Sequence, residues 1–227
     1  YSPPRTVTLN TKYEGAVQVD VWTGYAALVV DKSGKREVVL GPQTILLGFD
    51  QMLTYMDLSS GKPKTTDNLI RTAFLRVLNN RVSDIIEAFT ADDVKVSVKV
   101  SYRVNFVEAQ KDRWFNVENY VKLLCDHVRS KVRNAIKRHG IQEFNAKYID
   151  LIRDTILGVP QGSPDQKQSR PGMSFSENGM LVFDVEVLGL EIGDEDIASQ
   201  LVNAQHEAVR DALELGRINR QLNTTKE

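Results

Sequence analysis

Along residues 92–106, "DDVKVSVKVSYRVNF", apolar and polar positions alternate without a break. Val94, Val96, Val98, Val100, Tyr102, Val104 and Phe106 fall on one parity, and Lys95, Ser97, Lys99, Ser101, Arg103 and Asn105 on the other. A strand sends successive side chains to opposite faces, so the stretch predicts one long strand with an apolar face and a wet, basic face. The same period runs through the first part of the chain. "AVQVDVW" (16–22), "TILLGF" and "MLTYMDL" read as strands, and "YAALVV" and "REVVLGP" flank the turn formers of "DKSGK" as a hairpin. "SSGKPKTTDN" (59–68) is a polar loop, and "IRTAFLRVL" and "VSDIIEAF" are further strands separated by "NNR". Strands joined by such short turns are expected to pair antiparallel. "PRTVTL" (4–9) and "PQTILL" (42–47) share a pattern that fits either chance or small β-modules stacked in series.

Beyond residue 116 the period changes. Val121, Leu124, Cys125, Val128, Val132, Ala135 and Ile136 recur at three and four residues, which predicts an amphipathic helix capped by Asn116 and ended by Gly140. "NAKYIDLIRDTIL" predicts a second helix with Tyr148, Ile149, Ile152 and Ile156 inward. "GVPQGSPDQKQSRPG" (158–172), with three prolines and three glycines, predicts a mobile excursion. "GMLVFDVEVLGLEIGD" (179–194) returns to a strand. Phe183, Val185 and Val187 alternate with Asp184 and Glu186, and then the apolar parity switches to Leu188, Leu190 and Ile192, so a bulge is expected near Gly189. A last helix starts at Asp194, where Asp194, Glu195 and Asp196 suit its positive N-terminal end. Ile197, Leu201, Ala204, Ala208, Ala212, Leu215, Ile218 and Leu222 form one narrow stripe, a candidate seam between helices. The pattern thus reads as antiparallel strands, two helices, a returning strand and a long terminal helix.

Composition narrows the function. Charged residues are 26% of the 227 and the hydrophobic set 41%, as in ordinary globular proteins. The net charge of −1 gives no whole-protein attraction to nucleic acid or to acidic membranes. A single cysteine excludes an internal disulfide and suits a reducing compartment. No apolar run approaches a membrane span, and "YSPPRTVTLN" does not read as a leader, so the chain is expected to be cytoplasmic. Its first residue is not Met, which fits a processed or excised piece.

Catalytic chemistry finds little support. Cys125 and His127 point to different sides of a helix, and Cys125 lies on the apolar stripe, where a core thiol is expected. His127, His139 and His206 are scattered, with no metal-ligand spacing. "SSGKPK" fails as a phosphate loop, because Pro63 stands where Ser or Thr is needed and Met56 where the first Gly belongs. Asp92 and Asp93 pair up, but at a turn, where Asp serves the backbone. No enzyme, cofactor or metal is expected.

Two basic sets remain. Arg129, Arg133 and Lys137 lie one turn apart on one helix face, and Lys95, Lys99 and Arg103 line the polar face of the long strand. A solvated face is the bland reading of both, an interface with an acidic neighbour the second, and nucleic acid a poor third, since no aromatics are interleaved. If the two long strands are neighbours, cross-strand pairs with Asp184 and Glu186 account for these charges inside one chain.

Three stretches, "GPQTILLGFDQMLTYMDLSSGKPK" (41–64), "DIIEAFTADDVKVSVKVSYRVNF" (84–106) and "NGMLVFDVEVLGLEIGD" (178–194), resemble the shoulder region of the vault-protein family, with "LSSGKPK" followed by the "TADD" strand the most specific part. The resemblance spans residues 13–222 and implies an α+β band 7 domain of the stomatin/prohibitin/flotillin type, an antiparallel sheet packed against helices, preceded by a small β-repeat module and followed by a long C-terminal helix. It implies a β-repeat module over 1–58, a shoulder domain over 59–193 with a flexible loop at 158–174, and a cap-like helix from 194 to 227. It further implies a non-catalytic subunit of a hollow, self-assembling ribonucleoprotein shell, with copies side by side as staves and with protein or RNA as possible cargo. Only about one β-repeat is present here, against several in the family, and the last helix runs about eight turns. Lateral contacts between identical staves are heterologous, so Lys95, Lys99, Arg103, Arg129, Arg133 and Lys137 are candidates to meet acidic residues such as Asp184 and Glu186 of the next copy. The alternative reading is an oligomeric band 7 scaffold at membranes.

Overall fold

The computed structural model describes residues 17–161 and 169–224. Residues 4–9, which carry half of the repeat pattern, the centre of the predicted excursion (162–168) and the side chain of Leu222 lie outside the described set. The architecture is α+β, as the resemblance implies. Its frame is a four-stranded antiparallel sheet in the order β11-β12-β10-β9, where β9 is Asn80–Phe89, β10 Lys95–Phe106, β11 Met173–Phe175 and β12 Met180–Ile192. All seven apolar residues of the alternating stretch are buried, from Val94 to Phe106. Two helices cover that face: α1 (Tyr120–Ile136) against β9, and α2 (Ile141–Leu157) against β12. Their contribution to the core is Tyr120, Val121, Leu124, Cys125, Val128, Val132 and Ile136 from α1, and Ile141, Phe144, Ile152, Ile156 and Leu157 from α2.

Ahead of this frame lie β1 (Gln18–Val21), β2 (Tyr25–Asp31), β3 (Arg36–Leu40), β4 (Gln43–Leu46), β5 (Gln51–Leu53), β6 (Met56–Ser59), β7 (Leu69–Thr72) and β8 (Phe74–Arg76). The predicted hairpin forms between β2 and β3. "IRTAFLRVL" is two strands rather than one: β7 pairs with β6, and β8, beyond Ala73, pairs with β2. Ala26, Leu28, Met56, Leu58, Leu75 and Val77 join the main core, and Val19, Val21, Ala27, Val29, Val39, Ala73 and Phe74 form a smaller second one.

Several local expectations are corrected. Asn119, not Asn116, caps α1: its side chain accepts from the Lys122 N–H at 3.0 Å, while Asn116 accepts from Arg36. Gly140 does not end α1, which closes at Lys137; it sits just ahead of α2, which starts four residues before "NAKYIDLIRDTIL". The cap of α2 comes from elsewhere in the chain. Both oxygens of Asp92, in the β9–β10 turn, accept the Ile141 N–H at 3.0 and 3.1 Å. Ile149 is 46% exposed rather than inward. The bulge near Gly189 is present, since Lys99 pairs with Gly189 and Val100 with Val187. A second slip lies between Arg103 and Val104, whose partners are Asp184 and Val182. Phe183 is the extra residue there, and it turns out to the surface while Val182 and Val185 stay buried.

The third helix, α3, spans Glu195–Thr224. The Asp194 carboxylate accepts from the N–H groups of Asp196 and Ile197 and so caps its start. Ile197 and Leu201 pack against the main core; from 202 to 218 the side chains are almost all exposed, Leu215 and Ile218 among them.

Candidate functional site: the charged faces of the sheet

The strand order makes β10 and β12 neighbours, and the polar face of β10 resolves into ion pairs across the sheet. Lys95 lies 3.3 Å from Glu87 on β9, and Lys99 pairs with Glu191 on β12. Arg103 donates to Glu186 at 2.8 and 3.2 Å, with Arg81 at 3.6 Å on the same carboxylate. The Arg103 hydrogen bond holds the Glu186 carboxyl below its ordinary range. Asp184 takes Arg153 of α2 at 3.1 Å. The basic strand thus sits between two acidic ones, and each such half-exposed pair contributes a fraction of a kcal/mol. The face is less wet than its sequence suggests, because Ser101 at its centre is buried.

The helical stripe behaves differently. Because α1 packs on β9, Arg129, Arg133 and Lys137 reach over the edge of that strand instead of into open solvent. Arg129 forks onto Asp84, Nε to Oδ2 at 2.8 Å and Nη2 to Oδ1 at 2.6 Å, and also donates to the Lys64 carbonyl at 3.0 Å. The Asp84 side chain is fully buried, and its Oδ1 also accepts the Lys64 N–H. Burial works against the Arg129 charge, but the Asp84 carboxylate outweighs it and raises the guanidinium's pKa. Arg133 Nε donates to the Glu87 carbonyl at 2.8 Å, and Lys137 reaches Asp93 and the Thr90 carbonyl. Arg129 and the loop "SSGKPK" are therefore one assembly, a link that sequence spacing does not show because the partners lie 45 and 65 positions apart.

The other residues singled out by sequence fall as follows. Cys125 is buried beneath α1, and burial pushes its thiol pKa far up, so its thiolate is suppressed. His139 pairs with Glu143, and His127 stacks edge-on against Phe175. No group of three or more His, Cys, Asp or Glu among the described residues could hold a metal ion. No described helix is long and apolar enough to cross a membrane. Two openings flank β9. One, of about 280 Å³, is lined by Lys64, Arg76, Arg81 and Tyr120 among others; the second, of about 740 Å³, lies between the end of β9 and the end of α1.

An antiparallel sheet with helices on one face and charge pairs on the other defines an α+β domain. The family model for the shoulder domain of the major vault protein matches residues 78–194, and the chain belongs to that family. Relatives include major vault protein alpha of Dictyostelium discoideum, 26% identical over 196 residues and covering 84% of this chain and 22% of the relative. The major vault protein of Gallus gallus is 29% identical over 196 residues, covering 84% and 21% respectively. That of Bos taurus is 28% identical over 246 residues, covering 96% and 26%. The chain thus spans between a fifth and just over a quarter of the length of these relatives.

Proposed function

We propose that this chain is the shoulder of a structural subunit that assembles side by side with its own copies into a hollow, vault-like particle, without catalysis of its own. The family match over 78–194 carries the reading. In it, residues 1–58 form the β-repeat module, 59–193 the shoulder and 194–227 the beginning of a cap-like helix. The particle is cytoplasmic, and protein or RNA is its possible cargo. The lateral contact draws on the cations that keep an exposed side: Lys95, Lys99, Arg103, Arg133 and Lys137. Arg129 contributes by holding α1 to β9, since its side chain is only 12% exposed. The stripe Ile197, Leu201, Ala204, Ala208, Leu215, Ile218 and Leu222 supplies a helix seam between neighbours.

The test is the mass and negative-stain image of the protein expressed from its complete gene. Hollow, barrel-shaped particles of megadalton scale are expected. A monomer or small oligomer that floats with lipid would replace this reading with the membrane scaffold.

A further inference from the structure

Beyond the short β11, the central sheet is bounded by β12 and β9, whose outer backbones are largely unpaired even though Arg133 and Lys137 reach over part of the β9 edge. The Thr90 N–H bonds the Val94 carbonyl, so the even-numbered residues of β9 face β10 and the odd-numbered ones face outward. Among the described residues, the outward backbone groups of Ser83, Ile85 and Phe89 have no hydrogen-bond partner, and at Glu87 only the carbonyl is taken, by Arg133. On the far side, the short β11 covers only Met180–Val182 of β12. The Gly193 N–H bonds the Lys95 carbonyl, which turns Leu190 and Ile192 outward, again without partners among the described residues. Monomeric proteins blunt such edges, because bare strand edges pair with other chains. Here each edge also carries a large exposed apolar side chain: Phe89, 53% exposed, and Leu188, 61% exposed.

We infer that the open edge of β9 in one copy pairs with the open edge of β12 in the next, so that the shoulder sheets join into a band running from copy to copy. The inference rests on the side-by-side reading above. Three observations carry it. First, both edges belong to one sheet, so the contact is heterologous and repeats indefinitely, as a ring of staves requires. Second, β9 and β12 both run antiparallel to β10 and hence parallel to each other. Copies related by a small rotation keep their strand directions, so the joint is a parallel pairing, which these two strands can make. Third, the ends match in charge. Phe89, Lys95 and Gly193 lie level across the sheet, so a neighbour without axial offset sets its Asp194, Glu195 and Asp196 beside the end of β9. That end opens on a groove of about 740 Å³ whose charged lining is Lys95, Arg133 and Lys137 with Glu87 and Asp93; the two carboxylates pair with Lys95 and Lys137 and leave the Arg133 charge for a neighbour. Arg133 has no carboxylate partner among the described residues, and Glu195 and Asp196 have no cationic one.

The experiment uses the protein from its complete gene. Phe89→Cys and Glu195→Cys are introduced together, both at exposed positions, and assembled particles are treated with a short bis-maleimide. A ladder of covalent oligomers is expected, with neither single variant extending beyond a dimer. Particles that assemble but give no ladder overturn the edge contact and leave the shell reading intact. Absence of particles from the unmodified protein overturns the shell reading and this inference with it. As a second measurement, Ile85→Pro removes one outward N–H and leaves the β9–β10 ladder whole, so particle yield should fall at least tenfold while the folded subunit persists. An unchanged yield argues against the pairing.

Discussion

Arg129 of α1 and Asp84 of β9 form a forked ion pair at 2.6 and 2.8 Å, and the carboxylate is shut off from solvent entirely. Two further bonds, from the Lys64 N–H to Asp84 and from Arg129 to the Lys64 carbonyl, fasten the 60–68 loop to the same point. One pair therefore ties together helix, sheet and loop. Removing the cation strands a buried charge, so Arg129→Ala should destabilise the fold by about 3–5 kcal/mol. Replacing both residues by apolar groups of similar volume should cost less than the single change. Urea denaturation of the two variants and the parent checks the order; a single variant as stable as its parent would show that the pair contributes nothing.

The cap on α2 makes a pH-dependent contribution. Asp92 has its carboxyl held below its ordinary value of 3.8, first by the hydrogen bond from the Thr90 hydroxyl and then by the Ile141 N–H. The native state therefore binds fewer protons than the unfolded chain as the carboxyl titrates. The stabilisation is fully present above the unfolded value and is lost as pH falls through the lower native one. Asp92→Ala should cost about 1 kcal/mol near neutrality, as for the loss of a helix cap. The gap between variant and parent should narrow as pH falls below the ordinary carboxyl value and through the lower native one. Urea midpoints measured across that range give the answer, and a gap that widens in acid would contradict the assignment.

The parts read correctly from sequence are those where one element sets its own pattern. The β10 alternation needed no partner to be legible, nor did the α1 stripe through Val121, Leu124, Val128 and Val132. The parity switch after Val187 exposed one bulge because apolar residues lie on both sides of it. The second bulge was hidden, because Phe183 is as apolar as Val182 and no parity change betrays which of them turns outward. Caps were misread for a related reason. Asn116 and Asn119 both precede α1 and both suit a cap; only the packing of Asn119 beside Ser59, 60 residues away, separates them. The basic stripe of α1 looked solvated because spacing shows which residues share a face but not what lies under it. Asp84 alternates in β9 as an ordinary position would, and its burial follows from α1 lying above it.

Gly41 marks a place where no side chain fits. A Cβ there would lie 2.1 Å from the Trp22 carbonyl oxygen and 2.4 Å from that of Val21. Both obstacles are backbone, held where β1 pairs with β4 and where the Gly41 N–H bonds the Tyr25 carbonyl. Gly41→Ala must separate these segments, at a cost of about 1–3 kcal/mol or more. A drop in melting temperature is expected, and a variant that melts with its parent would mean that the turn can move aside freely.

Cys125 offers a probe of opening. Its thiol is enclosed by the core and its pKa raised by burial, so alkylation requires both exposure and ionisation. Iodoacetamide near neutral pH should label the native protein no faster than the structure unfolds, and should label it readily in urea. Mass spectrometry over time checks this, and rapid labelling of the folded protein would place the thiol at the surface.

The exposed part of α3 separates folding from association. Ile197 and Leu201 pack on the core, whereas Leu215 is 61% exposed and Ile218 46% exposed, about four turns further on. A charge at Leu215 meets only solvent in an isolated chain, so Leu215→Asp should change stability by no more than about 0.5 kcal/mol. If the stripe is a seam between neighbouring copies, the same charge is buried on assembly and must be desolvated without a partner. Particle yield from the complete gene should then fall sharply while the thermal transition of the folded subunit stays where it was. Loss of the transition would instead assign Leu215 to the folding of the subunit, and an unchanged yield would take it out of the seam.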